Sequence, residues 1–291
     1  MERCPPSSAP SWSARSAPPR SSRPAAPWPC PSGHRFDAAR QGYFNLLTGR
    51  GSPFEGDTAE MVDAREQFLG SGAYAPLRRA VVGAARRHTA APAVALDAGA
   101  GTGYYLEGLV DEAPGCFPVA LDISKIALRR AARRLPGGLS VVWDVWRRLP
   151  LADGSVDVLL NVFAPRNPGE FVRVLAPGGC LVVVTPRPGH LAGLEAVGPL
   201  LSVPAHKADD VLASFEGSLV ETGREELDYD LSLPPDLAHS ALVMGPAARH
   251  ARAEGPAGDD SAAPLKVAAR FTVQVLARPG RPSGAPDGTE G

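Results

Sequence analysis

Three carboxylates and a glycine-rich turn stand at spacings that suit a nucleoside ligand. Val94-Ala95-Leu96-Asp97-Ala98-Gly99-Ala100-Gly101-Thr102-Gly103 sets a short apolar run directly before a G-x-G-x-G turn. Glycines at such a turn let the backbone reverse tightly and come close to a bound molecule. Asp122 ends the next apolar run, 25 residues after Asp97. A carboxylate there is placed to accept both hydroxyls of a ribose. Asp144 ends the run after that, where an adenine amino group would lie, and Asn161 ends a fourth. Any one of these acids serves as well as a helix cap or loop residue, but all at strand ends argue for a shared ligand. The dinucleotide-binding turn usually reads G-x-G-x-x-G, and this one does not.

These residues need a scaffold of alternating strands and helices. Strands are expected at Ala93–Asp97, Phe117–Asp122, Leu139–Asp144, Val156–Phe163 and Cys180–Pro186, with helices at Tyr104–Asp111, Ser124–Leu135 and Pro168–Leu175. Short apolar strands joined by helices imply an α/β, Rossmann-like, doubly wound and mostly parallel sheet covered on both faces. Upstream, Asp57 followed three residues later by Glu60 reads as a capping box for a helix carrying Met61, Ala64, Phe68 and Leu69, stopped by Gly70 and Gly72. A second helix is expected from about Tyr74–Pro76 to His88. Residues 221–233 and 265–277 read as the last, partly antiparallel strands, with a loop at 246–263.

The ends differ from the middle. Residues 5–29 are rich in Pro, Ser, Ala and Arg and have linker composition. Residues 1–50 hold seven arginines and two acids, while the whole chain of 291 residues has a net charge of −1. A basic arm on an acidic body suits a phosphate backbone, and it suits a solvated tail equally. No signal peptide and no membrane-length apolar segment is visible, so a cytoplasmic protein with reduced thiols is expected. The division expected is an arm at 1–29, a small module at 30–56, the main domain at 57–278 and a tail at 279–291.

The Asp-x-G-x-G-x-G turn resembles that of class I methyltransferases. The flanking segments are similar to one family of them, the RlmA family. They are Cys30-Pro31-Ser32-Gly33-His34-Arg35-Phe36-Asp37, Gln41-Gly42-Tyr43-Phe44-Asn45-Leu46-Leu47, Gly56-Asp57-Thr58-Ala59-Glu60-Met61, Ala64-Arg65-x-x-Phe68-Leu69-x-x-Gly72-x-Tyr74, Asn161-Val162-Phe163-Ala164-Pro165-Arg166 and Thr185-Pro186-x-Pro188-Gly189-His190-Leu191. The resemblance implies S-adenosylmethionine as cofactor and N1 of a guanine in a 23S ribosomal RNA hairpin as acceptor. One branch, the Gram-positive type, confers resistance to macrolides such as tylosin. A homodimer is allowed, and no membrane partner is implied. By the same resemblance Asp97, Gly99, Gly101 and Gly103 line the methionine end, Asp122 the ribose and Asp144 the adenine. Tyr74, Tyr105, Leu106 and His190 would also touch the cofactor. Guanine N1 must lose a proton as it attacks the methyl in line with the departing sulfur. No residue identifies itself as the base for that proton. Asn161 and the backbone at Ala164 and Pro165 are the candidates to hold the base edge, and Arg166 to meet phosphate or base. Lys125, Arg129, Arg130, Arg133 and Arg134 read as a solvated helix face.

Two features depart from the family. It carries a zinc module of the form C-x-x-C then C-x-x-x-H. Cys4, Cys30 and His34 match three ligands, but Ser7 stands at the fourth, and a neutral hydroxyl is a poor zinc ligand. The reading therefore favours a free Cys4 over bound zinc, and the abrupt return to family-like sequence at Cys30 suggests that residues 5–29 come from a shifted reading frame. The second departure is at Met244-Gly245-Pro246-Ala247-Ala248, where the family tends to carry large aromatics. Alanines offer no stacking platform for a base. The alternative readings are a small-molecule methyltransferase of antibiotic biosynthesis and a non-catalytic relic that binds cofactor or RNA.

Overall fold

The computed structural model describes residues 28–29, 35–47, 52–245 and 263–279. In chain order they form β1 (Trp28–Pro29), β2 (Arg35–Phe36), β3 (Phe44–Asn45), α1 (Ala59–Gly70), α2 (Ala75–His88), β4 (Val94–Ala98), α3 (Tyr104–Glu112), β5 (Phe117–Asp122), α4 (Lys125–Arg134), β6 (Leu139–Val142), β7 (Val156–Val162), α5 (Pro168–Val174), β8 (Leu175–Pro186), α6 (Lys207–Ala213), β9 (Val220–Leu233), α7 (Pro235–Val243) and β10 (Leu265–Ala277). β1 and β2 pair as an antiparallel ribbon. The other eight strands make one sheet in the order β3-β6-β5-β4-β7-β8-β10-β9. It is parallel from β3 to β8, and β10 and β9 close it antiparallel.

The apolar runs become the central strands because both faces of the sheet are covered. β4 and β6 are buried at every position. One face packs on Leu77, Val81, Leu106, Leu109 and Leu128, and the other on Leu149, Phe171, Val174, Val211 and Phe215. Burying such side chains supplies most of the drive to fold, about 25 cal/mol per Å² of apolar surface. α4 shows the complementary pattern, with Ala127, Leu128 and Ala131 inside and its arginines outside. Two of those arginines fasten α1: Arg130 pairs with Asp63 at 2.6 Å, and Arg134 bridges Glu66 and Glu107 at 2.8 and 2.9 Å.

Several expectations change in detail. The cap of α1 is Thr58, whose hydroxyl accepts from the Met61 amide at 3.2 Å. Asp57 is instead ion-paired with Arg65, so the capping box is not formed. β8 starts at Leu175, earlier than Cys180, and β6 stops before Asp144. The boundary expected at residue 56 is crossed: Phe44 and Asn45 pair with Val141 and Val142 in the main sheet. α6 and α7 form where the sequence pattern predicts no element. Residues 1–27 of the arm expected at 1–29, residues 280–291 of the tail expected at 279–291, and most of the 246–263 loop lie outside the described residues.

Candidate active site

The strand order reverses direction between β4 and β7, and doubly wound sheets take ligands in the crevice at that point. The glycine turn leaves β4 there. Gly99, Gly101 and Gly103 all have positive φ, at 93°, 53° and 82°, which L side chains rarely adopt. Gly99 has a second reason to be glycine, because a Cβ on it would overlap the Ala164 methyl. The loop after β4 and the loop after β7 therefore touch.

Four of the amides of this turn are already used. Gly99 and Ala100 donate to the Leu121 carbonyl at 2.8 and 3.0 Å, and Gly103 to Ala100 at 2.8 Å. The Gly101 amide donates to Asp122 Oδ2 at 2.8 Å. Phosphate-binding turns present such amides to their ligand, and this one keeps them. What it presents instead is carboxyl oxygen. Asp97, 1% exposed, has an Oδ1 with no partner among the described residues. Burial, and secondarily the neighbouring Asp122, push its carboxyl up to about 8. Burial also raises Asp122, opposed by the amides of Ser124 and Gly101, the former donating to Oδ1 at 2.8 Å. A pocket with two costly carboxylates and no free amide cradle favours a cationic ligand over a pyrophosphate.

The β7 side brings an aromatic group. His190 lies against Tyr74, its Nε2 3.2 Å from the hydroxyl. The Arg270 amide donates to His190 Nδ1 at 3.2 Å. Since Nδ1 accepts, Nε2 carries the proton and donates to Tyr74, which leaves the tyrosyl proton free to point elsewhere. Burial, then the charge of Lys207, lowers His190 to about 4, so the ring stays neutral. The buried hydroxyl of Tyr105 has no partner among the described residues. Leu106 is fully buried on the inner face of α3 and serves the core.

Asn161 does a different task from the one expected. It is fully buried, and its Nδ2 donates to Ala98 O and Pro165 O, both at 3.0 Å. That amide ties the two loops of the crevice together and has no hydrogen left for a base edge. Its Oδ1 is buried without a partner among the described residues. Ala164 is half-buried and Pro165 exposed, so that stretch of backbone does border the crevice. Asp144 sits two residues beyond β6 and is committed as well, accepting from Ser52 Oγ at 2.9 Å and the Trp146 amide at 3.0 Å.

Some neighbours were not singled out from the sequence. Arg65 reaches over Gly101, pairs with Asp57 and donates to Met244 O at 3.0 Å. Ser124 donates to Asp57 O at 3.2 Å, and Gly56 packs tightly on the Ser124 backbone. Residues 52–65 thus cover the Asp122 side of the crevice. Arg65 and Phe163 both lie in the family-like segments, where their positions marked them but their chemistry did not. Cys4, Ser7, Cys30 and His34 lie outside the described residues. The chain's other two cysteines, Cys116 and Cys180, are buried in the core, so neither replaces the ligand missing at Ser7. No helix among the described residues is long and apolar enough to cross a membrane.

The comparisons with known proteins agree with this geometry. A methyltransferase domain family matches residues 95–179, and the RlmA N-terminal zinc-ribbon family matches residues 21–49. The latter match starts before Cys30, inside the stretch read as frame-shifted. A relative from Micromonospora griseorubida, named as a 23S rRNA guanine-N1 methyltransferase, is 45% identical over 85% of this chain and 86% of its own. The 23S rRNA (guanine(748)-N(1))-methyltransferase of Streptomyces fradiae is also 45% identical, over 76% of this chain and 79% of its own. Among solved structures, a methyltransferase in complex with the Trm112 activator of Haloferax volcanii shares the fold, with 18% identity, a TM-score of 0.50, and coverage of 78% of this chain and 100% of its own. With its cofactor turn, its crevice and two relatives at this identity over most of their lengths, the chain belongs to the RlmA family of S-adenosylmethionine-dependent 23S rRNA guanine-N1 methyltransferases.

Proposed function

We propose that this chain transfers a methyl group from S-adenosylmethionine to N1 of a guanine in a 23S ribosomal RNA hairpin loop. The observation that carries this reading is the crevice between β4 and β7. It gathers an Asp97 oxygen and a Tyr105 hydroxyl that have no partner among the described residues beside a turn that offers carboxylate rather than amide. Those residues fit the cofactor. Asp97 would hold the ammonium of its methionine end, and the hydroxyls of Tyr74 and Tyr105 would donate to the carboxylate there. Asp122 would accept the ribose hydroxyls, since each carboxylate oxygen retains a lone pair after taking one amide. Asp144, held by Ser52, would border the adenine. When bound, the cofactor supplies a methyl group activated on a sulfonium.

The chain's own contribution is position. Asn161 locks the two loops, His190 fixes the direction of the Tyr74 hydroxyl, and the partly exposed stretch Phe163–Arg166 leaves room for a base flipped out of its loop. The neutral imidazole has its basic lone pair committed to the Arg270 amide, so His190 is not the acceptor of the guanine proton. This reading puts the enzyme in the cytoplasm with its ribosomal substrate. Incubation with tritiated cofactor and unmethylated 23S RNA tests it. Label in RNA, with a primer-extension stop at the guanine that the Streptomyces relative's name numbers 748, is expected. Label entering a macrolide but no RNA would point to a small-molecule enzyme, and cofactor binding without any transfer to a relic.

A further inference from the structure

Phe163 is 44% exposed and stands directly after β7, at the mouth of the crevice. It has a φ of 55°, a strained conformation for a non-glycine residue. The turn it makes brings Ala164 against Gly99 and leaves the ring on the open side. Beneath the ring lies an aromatic bed: His190 at 6.4 Å and nearly parallel (21°), Tyr74 at 6.3 Å and Phe271 at 5.7 Å. One face is supported and the other is open, within one residue of the cofactor turn.

Two cations stand near this aromatic group, Lys207 close enough to His190 and Arg166 close enough to Lys207 for their charges to interact. Arg166 follows three residues later, and Lys207 opens α6. Among the described residues neither side chain has a hydrogen-bond or ion-pair partner, whereas Arg65, Arg78, Arg130, Arg134, Arg173 and Arg187 are all paired. Both are partly buried. Each is pulled below its ordinary pKa by burial, Lys207 also by the charge of Arg166. Partly desolvated like charges without a counter-ion are unfavourable until an anion joins them.

We propose that Phe163, Arg166 and Lys207 form the acceptor seat, with the target guanine stacked on the open face of Phe163 and the phosphate of the same nucleotide held by Arg166 and Lys207. This rests on the functional reading above. It also replaces the stacking platform that Ala247 and Ala248 cannot provide. A base on that ring stands next to the Gly99–Ala164 contact, where the methyl donor must be.

The test compares variants in methyl transfer to the 23S hairpin, with cofactor affinity by calorimetry and folding by thermal melting. Phe163→Gly keeps the positive-φ turn without strain and removes the ring, and Phe163→Tyr keeps a stacking face. Phe163→Gly is expected to lower kcat/KM roughly 5- to 150-fold, the usual value of one base–aromatic stack, with cofactor affinity unchanged. Phe163→Tyr should restore most of the activity. Arg166→Ala with Lys207→Ala should raise KM and reduce the salt slope of RNA binding by about one. Full activity of Phe163→Gly beside an active wild type overturns the seat alone. Cofactor affinity falling in step with turnover overturns it too, since the ring would then belong to the cofactor wall. If Phe163→Gly fails to fold, an unchanged salt slope in the double variant overturns the seat. A wild type that methylates no RNA overturns the functional reading, and the seat with it.

Discussion

Asp97 concentrates the electrostatic cost of the site. Its carboxyl stands at about 8 in the free protein, well above an unfolded aspartic acid. The folded chain therefore holds a proton that the unfolded chain releases, and stability from this residue is fullest below about pH 4 and lost as pH rises through about 8. An ammonium ligand needs the ionised form, so binding should expel that proton. Calorimetry near pH 7 in buffers of different ionisation enthalpy should show close to one proton released on cofactor binding, and affinity should tighten steadily as pH rises from about 6 to 7.5. Asp97→Asn should abolish both, and proton release that persists in this variant would exclude Asp97 as its source. Asn161 gives the second residue-scale expectation. Asn161→Ala strands the buried carbonyl of Ala98 and unties Pro165, a cost of about 1–3 kcal/mol. A melting temperature equal to wild type would show that the two-loop tie is dispensable.

At the scale of elements, the crevice depends on how closely the β4 and β7 loops approach. Gly99→Ala should both destabilise the fold and weaken cofactor binding, because φ is positive and Ala164 occupies the space. Gly169 in α5 is the contrasting case: its φ is ordinary and an added Cβ meets nothing within 4 Å. Gly169→Ala should gain about 0.4–1 kcal/mol through the unfolded state, and a loss in denaturant melts would contradict this. The same comparison explains what was legible beforehand. Phe117–Asp122 and Leu265–Ala277 were read to the residue because long β-branched and apolar runs have a strong period. β3 was missed because two residues carry no period, and its partner β6 lies about a hundred residues away in sequence. α6 and α7 were missed because seven- and nine-residue helices rest on tertiary contacts more than on propensity. Asp97 and Asp122 were legible as carboxylates at strand ends, whereas the commitment of Asn161 to Ala98 depends on a contact between loops that no local pattern encodes.

The whole molecule joins a methyl-transfer core to an N-terminal segment whose family match spans residues 21–49. We propose that this ligand set is incomplete: Cys4, Cys30 and His34 match the family's pattern, Ser7 stands in the fourth place, and Cys116 and Cys180 are buried. Elemental analysis of the purified protein should find well under one zinc per chain, rising in Ser7→Cys; one full zinc in the unaltered chain would refute this. Arg130 and Arg134 of α4 are spent on α1, and the proposed seat puts RNA at the Phe163 edge of the crevice. The account as a whole turns on the chemical product. 23S hairpin RNA incubated with the enzyme and cofactor, digested to nucleosides and separated by mass spectrometry, should yield 1-methylguanosine, and Asp122→Ala should reduce the yield in proportion to lost cofactor affinity. A methyl group on another guanine atom, on another base, or on no nucleoside at all would contradict it.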